Sequence, residues 1–409
     1  MKRVLFSLVM FAAVSTVFAQ TDPKAVKAAV SAAKSAANSG KFAEAEKTIE
    51  AAMSNAATKN DASVWDAAGY VQQKISMKQS ENQVLKKSFD TIQVYKSALK
   101  MVEYFSKCDE LAQLPDAKGK VNNKFRKKNA VIVMGERNNL INGGIYYFNA
   151  QNYAEAFKYL AAYADLKNLP LTAKEPAILA DSTITQMAYY ACSAAYRMED
   201  YKNCAKYAQQ AFEDKEYGEP AMEFYCISLK ELGQQEEWLA ALKKGVATYP
   251  GIPYFFANLV EYFSTNNKYD EAIAYADEML KNDPNNALYL FCKGYIYQQT
   301  KEYDKALEFY AKATNDEKSD YCAQSYSNMG LIYCIQAQDF SATATTNVGD
   351  AKYKEEQAQL KSYYEKAKPC YEKARQLKPD QKDLWLQGLY RVYYNLDMGN
   401  EFKEIESMM

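Results

Sequence analysis

Tyr269-Asp-Glu-Ala-Ile-Ala-Tyr-Ala-Asp-Glu-Met279 is followed 34 residues on by Tyr303-Asp-Lys-Ala-Leu-Glu-Phe-Tyr-Ala-Lys-Ala313. Each stretch carries an aromatic residue, an alanine three later, an apolar residue four after that and another three further on. Spacings of three and four place side chains on one face of an α-helix, so the pattern predicts two helices with the same buried stripe. Pro250 and Pro284 keep the same interval. The frame recurs at Phe42/Ala45/Ile49/Ala52, Tyr153/Ala156/Leu160/Tyr163, Tyr201/Cys204/Ala208/Ala211 and Tyr364/Ala367/Tyr371/Ala374. Each instance follows another amphipathic helical pattern with a small residue near its middle, such as Gly144, Cys192, Gly294 or Gly330. The chain is therefore expected to be built from helix pairs.

Composition points the same way. The 409 residues hold 15 Gly and 10 Pro, about half the usual share of roughly 12 %, which favours long helices over many short strands. With no histidine, a Ser-His-Asp triad, a Cys-His pair and an HExxH zinc helix are excluded. No phosphate-cradling glycine loop, GxSxG elbow or EF-hand loop occurs. Carboxylates such as Glu271, Asp277 and Glu278 are flanked by lysines and read as solvated faces. No spacing sets two of them across a cleft, as glycoside hydrolysis requires. The expectation is a protein that is not an enzyme and holds no cofactor and no metal.

The chain opens Met1-Lys2-Arg3, runs apolar from Val4 to Val14, and sets Val17 and Ala19 before Gln20. This reads as a secretory signal peptide cleaved after Ala19. No cysteine follows the cleavage position, so a lipoprotein is not expected. No later apolar stretch approaches the roughly 18 to 20 residues of a membrane span. The mature chain is expected in the periplasm or outside the cell. Without Lys2 and Arg3 it carries 48 basic groups against 51 acidic ones, which argues against nucleic acid as the main partner.

Several spacings agree at once with the tetratricopeptide repeat family, which the chain resembles. Contiguous 34-residue units start at Thr185, Glu219, Pro253 and Ala287; in the last, Gly294, Tyr297, Ala306, Tyr310 and Ala313 take repeat positions 8, 11, 20, 24 and 27. Earlier units start near Val26, Ala62 and Arg137, and a later one near Ala323 is lengthened by an insertion. The resemblance implies an all-α, superhelical solenoid of tetratricopeptide-like helix pairs in an exported bacterial repeat protein. It divides the chain into a signal peptide (1–19), N-terminal helical repeats with an irregular insert (20–136), the repeat solenoid (137–381) and a C-terminal capping helix or helices (382–409).

The resemblance also implies where a partner would sit. The family's concave groove is lined by the first helix of each pair, which brings Tyr189, Tyr196, Phe224, Tyr254, Phe291 and Tyr295 there among amides such as Gln186, Asn258, Gln298 and Gln299. Aromatic seats with amide donors and acceptors suit an extended polypeptide. The implied function is a non-enzymatic interaction scaffold or adaptor of the cell envelope, binding a protein or peptide partner, with an outer-membrane-associated complex as one setting. The alternative is a glycan-binding accessory protein of an outer-membrane uptake system. Cys192 and Cys204 take positions 8 and 20, which the family places opposite each other, and this implies a disulfide between them.

Four stretches depart from the repeat. Pro115 to Lys128 is a basic loop, expected to be solvated. Leu171 to Ile184 is expected as an extended crossing between repeats. The insertion near Ala323 carries Ser341 to Asp350, expected to be mobile. Lys24 to Ser39 is rich in Ala, Lys and Ser and is expected to fray.

Overall fold

The computed structural model describes residues 21–115, 119–121 and 123–409. The leader read at 1–19 lies outside them, as do Asp116 and Lys118 of the basic loop. The described residues form nineteen α-helices and one 3-10 turn, with no strand. The chain divides at Ala241/Leu242 into two compact units.

Unit 1 holds α1 (Pro23–Asn38), α2 (Phe42–Ser54), α3 (Ala62–Val84), α4 (Thr91–Ala112), α5 (Arg126–Asn149), α6 (Tyr153–Asp165), the short α7 (Pro176–Leu179), α8 (Thr183–Arg197), α9 (Tyr201–Ala211) and α10 (Gly218–Glu231). The helix α11 (Gln235–Thr248) crosses the division. Unit 2 holds α12 (Pro253–Thr265), α13 (Tyr269–Asn282), α14 (Ala287–Gln299), α15 (Tyr303–Ala313), α16 (Asp320–Ser341), α17 (Tyr353–Leu377), α18 (Leu386–Asn395) and α19 (Gly399–Glu406). Consecutive helices pack on one another as pairs, and within each unit the pairs stack through their first helices, as α1 does on α3 and α14 on both α12 and α16.

A backbone device repeats at the turn inside the pairs. Gly40, Gln151, Glu199, Gly233, Asn267 and Lys301 all have positive φ, and the last four keep the 34-residue interval. After each of these four, the next N–H reaches back five residues: Asp200 to Ala195, Gln234 to Leu229, Lys268 to Phe263 and Glu302 to Tyr297. This is the Schellman closure, which satisfies carbonyls orphaned at a helix end. A left-handed non-glycine residue costs about 1–2 kcal/mol, so the stacked pairs must offset it.

The recurrent frame supplies that packing. Ala45, Ala156, Cys204, Ala272, Ala306 and Ala367 are all buried. Small residues in the first helix accept a large ring from the second. A Cβ added at Gly294 would lie 2.8 Å from the Tyr310 ring, and one at Gly330 would lie 2.7 Å from the Tyr371 ring. The frame therefore fixes how closely helices approach, which is what stacking needs.

Five expectations change. The unit placed near Arg137 begins earlier, because α5 runs unbroken from Arg126 through residue 137. Leu171 to Ile184 is not an extended crossing: it folds into turns and α7, burying Leu171, Thr172 and Ile178, with Thr172 Oγ1 donating to the Leu166 carbonyl at 2.6 Å. Most of the insertion near Ala323 lengthens α16 and α17, which leaves only 342–352 as loop. The Ala-rich start is a helix capped by Asp22, and it buries Val26, Ala33, Ala36 and Ala37. Asp277 is not simply solvated, since it pairs with Lys293, a buried lysine whose Nζ also lies 4.3 Å from the Phe309 ring centroid.

Candidate functional site

In unit 2 the first helices of three successive pairs enclose a groove of about 640 Å³. From α12 come Ala257, Val260, Glu261, Ser264 and Thr265, from α14 Phe291, Cys292, Tyr295 and Gln299, and from α16 Asn328. The spacings of three, four and seven or eight in α12 and α14 put these side chains on one helical face each, which is why neighbouring pairs bring them together.

The groove wall is held from behind. The Phe291 ring lies 5.6 Å from that of Tyr310 and 5.3 Å from that of Tyr321. Tyr310 donates its hydroxyl to Gln298 Oε1 at 2.8 Å and accepts from Asn328 Nδ2 at 3.0 Å. Burial pushes the Cys292 thiol up to about 12, so this sulfur acts as a small apolar wall atom. Tyr295 is the exposed ring of the groove, at 36 %. Ser264 Oγ is buried with no protein hydrogen-bond partner, and such a hydroxyl is better satisfied by a polar ligand group. Flat apolar surface and hydrogen-bonding groups thus share one trough. That combination can seat side chains and pair with backbone amides at once.

The six rings named from sequence fall into separate arrangements. Phe291 and Tyr295 line this groove. Tyr254, at the start of α12, does not line it; its ring meets Phe255 edge-on at 5.3 Å. In unit 1, Tyr189, Tyr196 and Phe224 form a cluster of their own. Tyr189 stacks on Tyr217 at 4.5 Å, and Phe224 lies 4.8 Å from Tyr196. Tyr190 joins through its hydroxyl, 3.3 Å from that of Tyr217. That hydrogen bond and burial push Tyr190 up to about 12. These rings are half-buried and pack on one another. Ser264, Thr265 and Asn328 line the groove too, at positions 12, 13 and 6 of their repeats, and as small polar residues they carry no aromatic signal in the sequence.

All eight cysteines are buried thiols. Cys192 Sγ and Cys204 Sγ are 3.4 Å apart, near enough that a disulfide of about 2.05 Å needs only a small shift of the two side chains. The hydrogen bond between the two thiols lowers Cys204 and raises Cys192. No group of three or more Cys, Asp and Glu stands ready to hold a metal among the described residues. No helix among them is long and apolar enough to cross a membrane.

Residues 258–320 match the sequence model of the tetratricopeptide repeat. No curated protein matches the chain. Among solved structures, a tetratricopeptide repeats protein from Bacteroides fragilis is 21 % identical, with a TM-score of 0.32 over 67 % of this chain and 99 % of that one. The C-terminal part of a repeat-containing protein from Cytophaga hutchinsonii is 17 % identical, with a TM-score of 0.39 over 64 % and 91 %. The P58(IPK) repeat domain is 12 % identical, with a TM-score of 0.30 over 91 % and 98 %. The matched segment holds most of α12 and all of α13 to α15, and the same helix-pair frame recurs outside it: residues 258–320 are a tetratricopeptide repeat segment.

Proposed function

We propose that the protein is a non-catalytic interaction scaffold that holds an extended polypeptide in the groove formed by α12, α14 and α16. The observation that supports this reading is the shared trough of Phe291, Tyr295, Glu261, Ser264, Gln299 and Asn328. Its mixed lining suits a chain whose side chains alternate between apolar seats and solvent, with backbone amides meeting the polar rim.

Peptides selected from a random displayed library on the intact chain, then measured by fluorescence anisotropy, test it. Tyr295→Ala should weaken the recovered peptides about tenfold or more, as an interface aromatic does, while Tyr295→Phe stays near the wild type. Because Tyr295 is exposed, the melting temperature should hold within a few degrees. Failure to select any peptide, or equal affinity for Tyr295→Ala, would overturn the reading.

We further propose that the chain works in the cell envelope, from the cations, the apolar run and the Val17/Ala19 pair at its start. In that oxidising setting Cys192 and Cys204 join, each sulfur giving up its proton while two electrons pass to the oxidant of the compartment. Intact mass of envelope-derived protein checks both: residues 1–19 should be missing, together with two further hydrogens. An intact Met1 sinks the first statement. Both thiols alkylating in unfolded, unreduced protein sinks the second.

A further inference from the structure

Basic side chains converge on one ring of unit 1. Tyr70 lies on α3, and its ring centroid is 5.3 Å from Lys34 Nζ of α1, 5.4 Å from Lys74 Nζ of α3 and 6.0 Å from Lys128 Nζ of α5. The Tyr70 hydroxyl donates to Asn38 Oδ1 at 2.6 Å and ties the ring to α1. One carboxylate answers the three cations. Asp66, buried beneath them, meets Lys34 at 2.8 Å and Lys128 at 3.6 Å. Lys74 makes no ion pair among the described residues. Glu136, further along α5, is engaged by Ser76 at 3.1 Å and Asn139 at 2.8 Å, and Arg126 is taken up by Asp109. The cluster therefore keeps three cations for one anion.

Like charges gathered about one ring repel each other, and folding alone gives no reason to assemble the third. The ring attracts each ammonium weakly, which holds the lysines over its faces. A sugar would have to displace them in order to stack, whereas a carboxylate adds to them. The lysines come from the first helices of three consecutive pairs, the same kind of helix that builds the unit 2 groove, so they lie where a polypeptide could run along the stack. Lys128 also ends the basic stretch 115–128 and lies on the first turn of α5. The fold leaves its side chain exposed, with Nζ 6.0 Å from the Tyr70 centroid.

We propose that the Lys34, Lys74 and Lys128 cluster around Tyr70 is a docking site for the acidic side chains of a polypeptide partner. It rests on the polypeptide-binding reading given above and adds the chemistry of the partner.

The probe is a fluorescein-labelled oligoglutamate peptide titrated against the full chain by anisotropy at low salt. It should bind, weaken as salt rises, and bind K74Q/K128Q about five- to tenfold less tightly. K78Q removes the same charge from the same helix, where Lys78 pairs with Glu81, and should stay within about twofold. Lys74→Gln alone breaks no ion pair, so it decides the matter if the double variant fails to fold. Absence of binding, or binding that neither K74Q nor K74Q/K128Q weakens more than K78Q, overturns the proposal. So does a sulfated oligosaccharide binding through Lys74 while oligoglutamate does not. The oligoglutamate titration is read apart from the selected peptides, so the unit 2 groove can fail in its own assay without deciding this one.

Discussion

Tyr310→Ala is expected to lower the stability of unit 2 by about 3–5 kcal/mol, the usual cost of deleting a large buried ring. The side chain is fully buried and fills the space that Gly294 leaves open. Its hydroxyl also links Gln298 of α14 to Asn328 of α16. Removal leaves a cavity between three helices and two amides without their partner. Tyr310→Phe keeps the ring and loses only the hydroxyl bridge, so about 1 kcal/mol is expected. Urea unfolding followed by circular dichroism measures both. A loss below about 1 kcal/mol for the alanine variant would show that the ring is not core. The same residue backs the groove: Phe291 rests on it and Asn328 is held by it. Tyr310→Ala should therefore weaken peptide binding even where folding is restored by lower temperature, and this ties repeat packing directly to the proposed site.

Much of the architecture was legible because the repeat frame is a steric rule. An alanine or glycine at a close crossing leaves a mark in the sequence, as does the ring that fills the gap beside it. The turns inside the pairs were not legible. Low glycine content favours long helices and gives no sign that Gln151, Glu199, Asn267 and Lys301 hold the left-handed conformation usually left to glycine. Packing of the two helices imposes that geometry, and nothing about a glutamate or a lysine announces it. The boundary at α5 was hidden for a related reason: the start of that helix is set by Asn123 and Arg126 meeting Asp109, fourteen and seventeen residues away in sequence.

The candidate site was legible by position rather than by residue type. Phe291 and Tyr295 were chosen because they are aromatic and lie at groove positions, and both line the cavity. The same positional rule also names rings that lie outside this groove. Tyr189, Tyr196 and Phe224 obey it, but Tyr217, on the turn before α10, stacks against Tyr189 and completes a cluster. A residue outside the helical frame thus shapes what these rings touch, and periodicity carries no information about it. The reverse error concerns Ser264, Thr265 and Asn328, which satisfy the rule and were passed over because they are small and polar. The cluster at Tyr70 was hidden because Lys34, Lys74 and Lys128 are scattered over ninety-odd residues and meet only when three helices stack.

Asp109→Ala should cost about 2–3 kcal/mol, somewhat less than the 3–5 typical when one partner is removed from a fully buried ion pair. The Asp109 side chain is 3 % exposed, whereas that of Arg126 is 35 % exposed and can recover part of its hydration. Two bonds join them, Nε to Oδ1 at 2.7 Å and Nη2 to Oδ2 at 2.6 Å, and the guanidinium is held above its ordinary pKa by this hydrogen bonding. Asn123 adds a third contact, its Nδ2 donating to Oδ1 at 2.6 Å. The consequence reaches the backbone. Asn123 Oδ1 accepts from the N–H groups of Phe125 and Arg126 at 3.2 and 3.0 Å, so it supplies the cap that α5 lacks at Phe125. Without Asp109 the arginine stays unpaired, the asparagine is freed and the first turn of α5 loses its anchor. Asp109→Asn keeps the shape but surrenders the charge, and about half the loss is expected. Proteolysis should then cut faster in the segment before Arg126, because its opening no longer breaks the charged contact. Stability within about 0.5 kcal/mol of the wild type, with an unchanged cleavage pattern, would show that α5 is positioned by apolar packing alone. An intermediate result has a further reading through Lys128, two residues beyond Arg126 on the same turn. If the anchor orients that turn, Asp109→Ala should also weaken oligoglutamate binding, and Arg126→Lys, which keeps the charge but not the two-point contact, should reproduce part of the effect.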